Sequence, residues 1–224
     1  MFASRPNWLI VVLFDLFNCI SICFVRPFTI FILAHMWLLM ATASIAQFVI
    51  DTSGEPVEDD EEYFIRPAIR GNGGGATFVS GNAPCPLHVG LDNAESTLGF
   101  PVVFTPFAPH HDDDEVRLNR DLRVTFAALS NCAQSTQWRL GEKDATSGRR
   151  LIITGRDDST VGQYGNFFRI VQTQTIGVYN IQWCPTEVCS TCKFECGTVG
   201  VIRENGKISL ALDGGALPIV FQKE

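Results

Sequence analysis

The chain has 224 residues, 46% of them hydrophobic and 18% charged, with a formal net charge of −7. That length and apolar content suit one domain of moderate size with its own core, and they exclude wholesale disorder. The acidic balance repels phosphate backbones, so no nucleic-acid partner is expected.

Residues 1–46 stand apart. "WLIVVLFDLFNCISICFV" (8–25) and "FTIFILAHMWLLMATASIA" (28–46) are both apolar, and Arg26-Pro27 separates them. The second has the layout of a secretory signal: a basic residue, an apolar run, then small residues, with "ATA" (41–43) and "SIA" (44–46) as cleavage sites. Residues 1–46 therefore read as a leader, about twice the usual length, and residues 47–224 as the mature domain. The competing reading is a retained membrane anchor, since 28–46 is nearly long enough to span. The leader reading implies a secreted protein, extracellular or vacuolar, with no membrane partner after processing.

From Gln47 onward the pattern is all-β. Short alternating or apolar runs recur at 48–50, 63–67, 76–80, 87–91, 101–105, 122–129, 136–140, 150–155, 166–172, 178–184, 200–203, 207–212 and 217–222, with turn residues between nearly all of them. Twelve or so short strands suggest a closed barrel or a sandwich. "GNGGG" (71–75) reads as a flexible loop, because it lacks the spacing and the following helix of a phosphate-binding loop. Asn205-Gly206, between two β-rich runs, is the sequence of a two-residue hairpin turn, since both positions tolerate positive φ. "YFIRP", "QWRLG" and "FFRIV" share aromatic, basic and aliphatic residues and hint at repeats, although their spacing is uneven.

Chemistry-bearing motifs are few. His88, His110 and His111 are the only histidines after the leader, and no nucleophile-elbow, zinc-protease or Walker-type motif is present. No enzymatic activity and no cofactor are expected. "EDDEE" (58–62) and "HHDDDE" (110–115) read as solvated acidic loops. The histidine-aspartate run has competent ligands, but neighbours on an extended segment point in opposite directions, so no metal site is expected there.

Near the end, "CPTEVCSTCKFEC" (184–196) holds Cys184, Cys189, Cys192 and Cys196. Its spacing is partly that of an iron–sulfur run, and its C-x2-C suggests zinc or a redox dithiol. With the leader set aside, Cys85 and Cys132 bring the count to six. An even number in an exported, oxidised domain favours three disulfides, with fifteen connectivities open.

Several of these segments resemble Kunitz-type soybean trypsin inhibitors. "VIDTSGEPVEDDEEYFI" (49–65) is similar to that family's N-terminal signature through Val49, Asp51, Gly54, Val57, Tyr63 and Ile65, while Ser53 departs from it. "CPLHV" (85–89), "STQWRL" (135–140), "WCP" (183–185), Val199-Gly200-Val201 and the terminal "PIVFQKE" follow in the family's order, and the four-cysteine run resembles the miraculin-like branch. The resemblance implies a β-trefoil of twelve strands in three pseudo-repeats, with a six-stranded barrel capped by hairpins. It also implies the pairings Cys85–Cys132, Cys184–Cys196 and Cys189–Cys192. No thiol is then left for an intermolecular bond, and a monomer is expected.

In this family an exposed loop lies in a protease's active-site cleft as a substrate mimic, and pre-organisation supplies the affinity. The resemblance places that loop at Thr105, Pro106, Phe107, Ala108, Pro109, His110 and His111, with Ala108 as the residue that fills the specificity pocket. Trypsin requires Arg or Lys there, so a target other than trypsin is expected. The loop-bracing asparagine of the family aligns with Asp59, which accepts hydrogen bonds but, when ionised, donates none. The expected function is a secreted inhibitor of an endopeptidase, of the serine type. A non-inhibitory binding, defence or storage protein on the same scaffold is the alternative.

Overall fold

A computed structural model describes residues 48–224, apart from 82, 86, 109–113, 133, 134, 144, 146, 147, 157–163 and 213. Within them lie twelve strands: β1 (Tyr63–Pro67), β2 (Ala76–Val79), β3 (His88–Leu91), β4 (Val102–Pro106), β5 (Leu122–Phe126), β6 (Trp138–Lys143), β7 (Arg150–Thr154), β8 (Arg169–Gln172), β9 (Tyr179–Trp183), β10 (Gly197–Glu204), β11 (Lys207–Leu212) and β12 (Ile219–Lys223). The leader reading concerns residues outside this set.

Six strands close a ring. The β12–β1, β4–β5 and β8–β9 pairs run antiparallel over most of their length. Three single contacts join those pairs: Tyr63↔Val102, Leu122↔Phe168 and Tyr179↔Ile219. Tyr63, Leu122 and Tyr179 open β1, β5 and β9, so the closing contacts repeat three times at the same place. The other six strands form the hairpins β2–β3, β6–β7 and β10–β11. These meet one another through His88↔Ile153, Leu151↔Ala211 and Leu91↔Ile208 and cap one end of the barrel. A closed ring has no free edge, and this arrangement is a β-trefoil.

The alternation of the strands explains the core. On β5 and β9 the residues Leu122, Val124, Phe126, Tyr179, Ile181 and Trp183 are buried and their neighbours are only half-buried. Inside the barrel Phe104 packs edge-on against Phe221 at 5.3 Å, with Tyr63 and Tyr179 alongside. Each such buried ring contributes roughly 1.5–3 kcal/mol.

Three sequence expectations change. The run 48–50 forms isolated bridges, from Phe48 to Arg117 and from Ile50 to Pro56, and no strand of its own. The repeats begin at Tyr63, Leu122 and Tyr179. "QWRLG" falls in a capping hairpin and "FFRIV" leads into β8, so their likeness to "YFIRP" is not the structural repeat. "GNGGG" is packed, with the Gly74 and Gly75 N–H groups bonded to Asp92 and Thr97 carbonyls. A Cβ on Gly75 would lie 1.6 Å from the Leu98 carbonyl oxygen, so the glycine serves close approach there. Asn205 and Gly206 do take positive φ (52° and 72°) between the paired Glu204 and Lys207, as the turn requires.

The three disulfides are Cys85–Cys132, Cys184–Cys196 and Cys189–Cys192. The last two are nested in the β9–β10 connection. Oxidised in this way, the four cysteines of the run offer no thiolate to a cluster or a zinc ion.

Candidate functional site

The two hairpins of the barrel, β4–β5 and β8–β9, differ most in their loops. β8 and β9 are joined by 173–178, whereas β4 and β5 are joined by the much longer 107–121. The strands beneath the long loop are in strict register up to Pro106↔Leu122. Thr105 and Pro106 therefore belong to the paired strand, with Thr105 exposed on its outer face.

Above that pair the loop is fixed at both ends. The Phe107 N–H donates to the Asp121 carbonyl at 2.8 Å, and its half-exposed ring stands edge-on to the buried Phe167 at 5.6 Å. The Arg123 guanidinium covers the same Phe167 ring at 4.4 Å. Ala108 follows and is exposed. Pro109, His110 and His111 lie outside the described residues.

The returning arm is held by the N-terminal segment. Asp51, almost fully buried, accepts the Ser53 and Glu55 N–H groups on one carboxylate oxygen, and Gly54 supplies the positive φ (89°) of the turn. The folded segment then grips the loop. Val49 N–H donates to Val116, Val116 N–H to Val57, and Asp59 N–H to Asp114, at 2.6–2.9 Å. The anchored points on either side are Phe107 and Asp114, with Ala108 and residues 109–113 between them. The N-terminal segment is tied in turn to the barrel. Ile50 N–H donates to the Tyr179 hydroxyl at 2.8 Å and Glu58 N–H to the Tyr63 hydroxyl at 3.0 Å. Burial raises the pKa of both phenols.

Asp59 reaches the loop through its main chain. Its side chain brings the two acidic runs together: burial first, then the charges of Asp60 and Asp114, raise its carboxyl above the ordinary aspartate value. At position 59, therefore, like charges meet in place of a side-chain brace.

A second set of contacts was not visible in the sequence. The carboxylate of Asp121, fully buried, accepts the Glu187 and Val188 N–H groups on Oδ2, at 2.7 and 3.0 Å, and the Arg169 guanidinium on Oδ1 at 2.5 Å. The Asp121 N–H donates back to Glu187 Oε2 at 2.9 Å. Arg120 Nε donates to Glu187 Oε1 at 2.9 Å, and Arg169 also donates to the Thr186 hydroxyl. Burial acts to raise the Glu187 pKa, but the Arg120 and Asp121 hydrogen bonds outweigh it and the net shift is downward. No motif or spacing links 187 to 121; the only sequence cue is that Glu187 lies inside the four-cysteine run.

Among the described residues no group of three or more His, Cys, Asp or Glu is placed to hold a metal. The His110–Asp113 run lies outside that set. Among the described residues no helix is long and apolar enough to cross a membrane.

Known proteins match this chain along nearly the whole described domain. The Kunitz legume family model, described as trypsin and protease inhibitor, matches residues 49–223. Kunitz type trypsin inhibitor 104 of Medicago truncatula is 79% identical over 89% of this chain and 98% of its own length. Miraculin of Synsepalum dulcificum is 33% identical over 83% of this chain and 87% of its own. Among solved structures, the rice bifunctional alpha-amylase/subtilisin inhibitor from Oryza sativa superposes with a TM-score of 0.64 at 32% identity, covering 79% of this chain and 98% of that one.

Proposed function

The chain belongs to the Kunitz legume family of trypsin and protease inhibitors, and we propose that it inhibits a serine endopeptidase through the loop around Thr105–His111, with Ala108 entering the specificity pocket. The observation that carries this reading is the β4–β5 connection. It is longer than the equivalent 173–178 loop, pinned at Phe107 and at Asp114, and exposed at Ala108 between those pins. A loop held on both sides before docking loses less entropy on binding than one that is free, which is what a substrate-like inhibitor needs.

The methyl group of Ala108 suits a shallow pocket. Trypsin's pocket selects Arg or Lys, so the name of the Medicago relative does not transfer to this position. Pro109 adds a constraint, because it offers no N–H on the leaving side of the bond. The target is therefore a protease that accepts small residues. The Medicago and rice relatives are named as inhibitors, and no catalytic role is assigned to any residue here.

We read residues 1–46 as a leader removed on export, leaving a secreted or vacuolar monomer that begins near Gln47. The three disulfides fit an oxidising compartment. N-terminal sequencing of the protein recovered from the secretory route checks the cleavage point.

The decisive experiment titrates purified 47–224 against a panel of serine, cysteine and aspartic endopeptidases. Tight inhibition of a serine protease with a small pocket, abolished by replacing 107–110, is the expected result. Inhibition of none would return the chain to the alternative of a non-inhibitory binding or storage protein.

A further inference from the structure

We infer that the 184–196 disulfide loop is a second brace for the inhibitory loop, with Glu187 as the positioning residue and Asp121 as the relay. This rests on the reading of 105–111 as the inhibitory loop, but the brace itself is a property of the free protein.

Asp121 is the last residue before β5 and carries two sets of contacts. Its carbonyl accepts the Phe107 N–H, which sets the residue immediately before Ala108. Its carboxylate and its own N–H are occupied by the disulfide loop and by Arg169. The exchange with Glu187 is reciprocal: each residue donates its main-chain N–H to the other's carboxylate. Hydrogen bonds to a carboxylate are roughly twice as strong as neutral ones, and two opposed bonds fix orientation as well as distance.

The partner loop is itself held. Cys184–Cys196 closes it at the mouth, and Cys189–Cys192 closes it again inside. The Cys189 N–H donates to the Pro185 carbonyl and the Thr186 N–H to the Cys184 carbonyl. Arg120 and Arg169 approach the carboxylates from the 119–122 segment and from β8, and the segment is pinned to that strand by Asn119 N–H to the Ile170 carbonyl. The four-cysteine run thus acts on the loop at a distance through one buried carboxylate, while the N-terminal segment acts on the other arm.

The test measures amide exchange at Phe107 in the intact 47–224 protein with all three disulfides formed. Glu187→Ala is the main variant, because Glu187 is partly exposed and its loss opens no core cavity. Glu187→Gln is the conservative one, since its amide oxygen still accepts the Asp121 N–H. Exchange at Phe107 is expected to rise about tenfold or more in Glu187→Ala and less in Glu187→Gln, with the Val103 amide, paired across β4 and β5 with Thr125, unchanged. A general loss of stability would raise both amides together and would overturn the inference, as would an unchanged Phe107. In the presence of an inhibited protease, Glu187→Ala is also expected to be cleaved at the loop faster than the parent. Absence of any inhibited protease would defeat the functional reading and leave the exchange result standing.

Discussion

Tyr63 and Tyr179 occupy the same place in the first and third repeats, and each turns its hydroxyl to an N–H of the N-terminal segment: Tyr63 to Glu58 and Tyr179 to Ile50. Ring-closing residues of the barrel thereby become the footing of a segment that clasps the 107–121 loop. Removing either hydroxyl leaves the N–H of a partly buried hydrogen bond without its acceptor. Tyr63→Phe and Tyr179→Phe are each expected to cost about 1–2 kcal/mol in urea unfolding. Each also raises amide exchange at its own partner, Glu58 or Ile50. Full stability in both variants would show that the segment holds the loop without them.

Ala108→Arg tests the assignment of the pocket residue. If 108 enters the specificity pocket, trypsin inhibition improves by at least about tenfold while inhibition of a small-pocket protease falls. A substitution without effect on either enzyme would place the contact residue elsewhere in the loop.

The pH dependence has two limits of opposite origin. The Glu187 pKa is lowered on folding, so its stabilisation is complete above the ordinary value of 4.5 and is lost as pH falls through the folded value. The Tyr63 and Tyr179 pKa values are raised, so their stabilisation is complete below 10.0 and is lost as pH rises through the folded values. Glu187→Gln is expected to flatten the acid limb of a plot of urea midpoint against pH and to leave the alkaline limb unchanged.

Asp59 has the opposite sign to Glu187. Its pKa is raised, so folding favours its neutral form and the benefit is lost as pH rises through the folded value. Asp59→Asn removes the repulsion from Asp60 and Asp114 and is expected to stabilise the protein at pH 7 by less than about 1 kcal/mol. The gain should vanish below pH 3.8, where the aspartate is already protonated. Destabilisation at pH 7 would mean that the ionised carboxylate is needed.

The disulfides should rank by the length of chain they close. Cys85–Cys132 spans a separation of 47 residues and Cys189–Cys192 a separation of 3. Loop-closure entropy assigns them about 4 and about 2 kcal/mol. Paired serine replacements compared by chemical denaturation give the order directly.

Strand positions were readable because alternation and turn residues are local signals, and Asn205-Gly206 announces its own geometry. "GNGGG" misled because glycine marks close approach as well as freedom, and only the folded chain shows the Leu98 carbonyl against Gly75. The assignment of 105–111 as the inhibitory loop rests on a resemblance. The loop's supports were not readable, since the contacts of Asp121 with Glu187 and of Tyr179 with Ile50 join residues far apart in sequence. The repeat was hidden for a related reason: Tyr63, Leu122 and Tyr179 share a position, but the second repeat puts a leucine where the other two have tyrosine.

The bond between Cys85 and Cys132 has one more effect, which concerns what a protease could gain by cutting the chain. Any nick between those cysteines leaves both pieces on one covalent framework, and one after Ala108 spares the β4–β5 pairing beneath it. Such a nicked molecule would run as a single band without reductant and as two bands with it, and its severed ends would stay close enough to be rejoined.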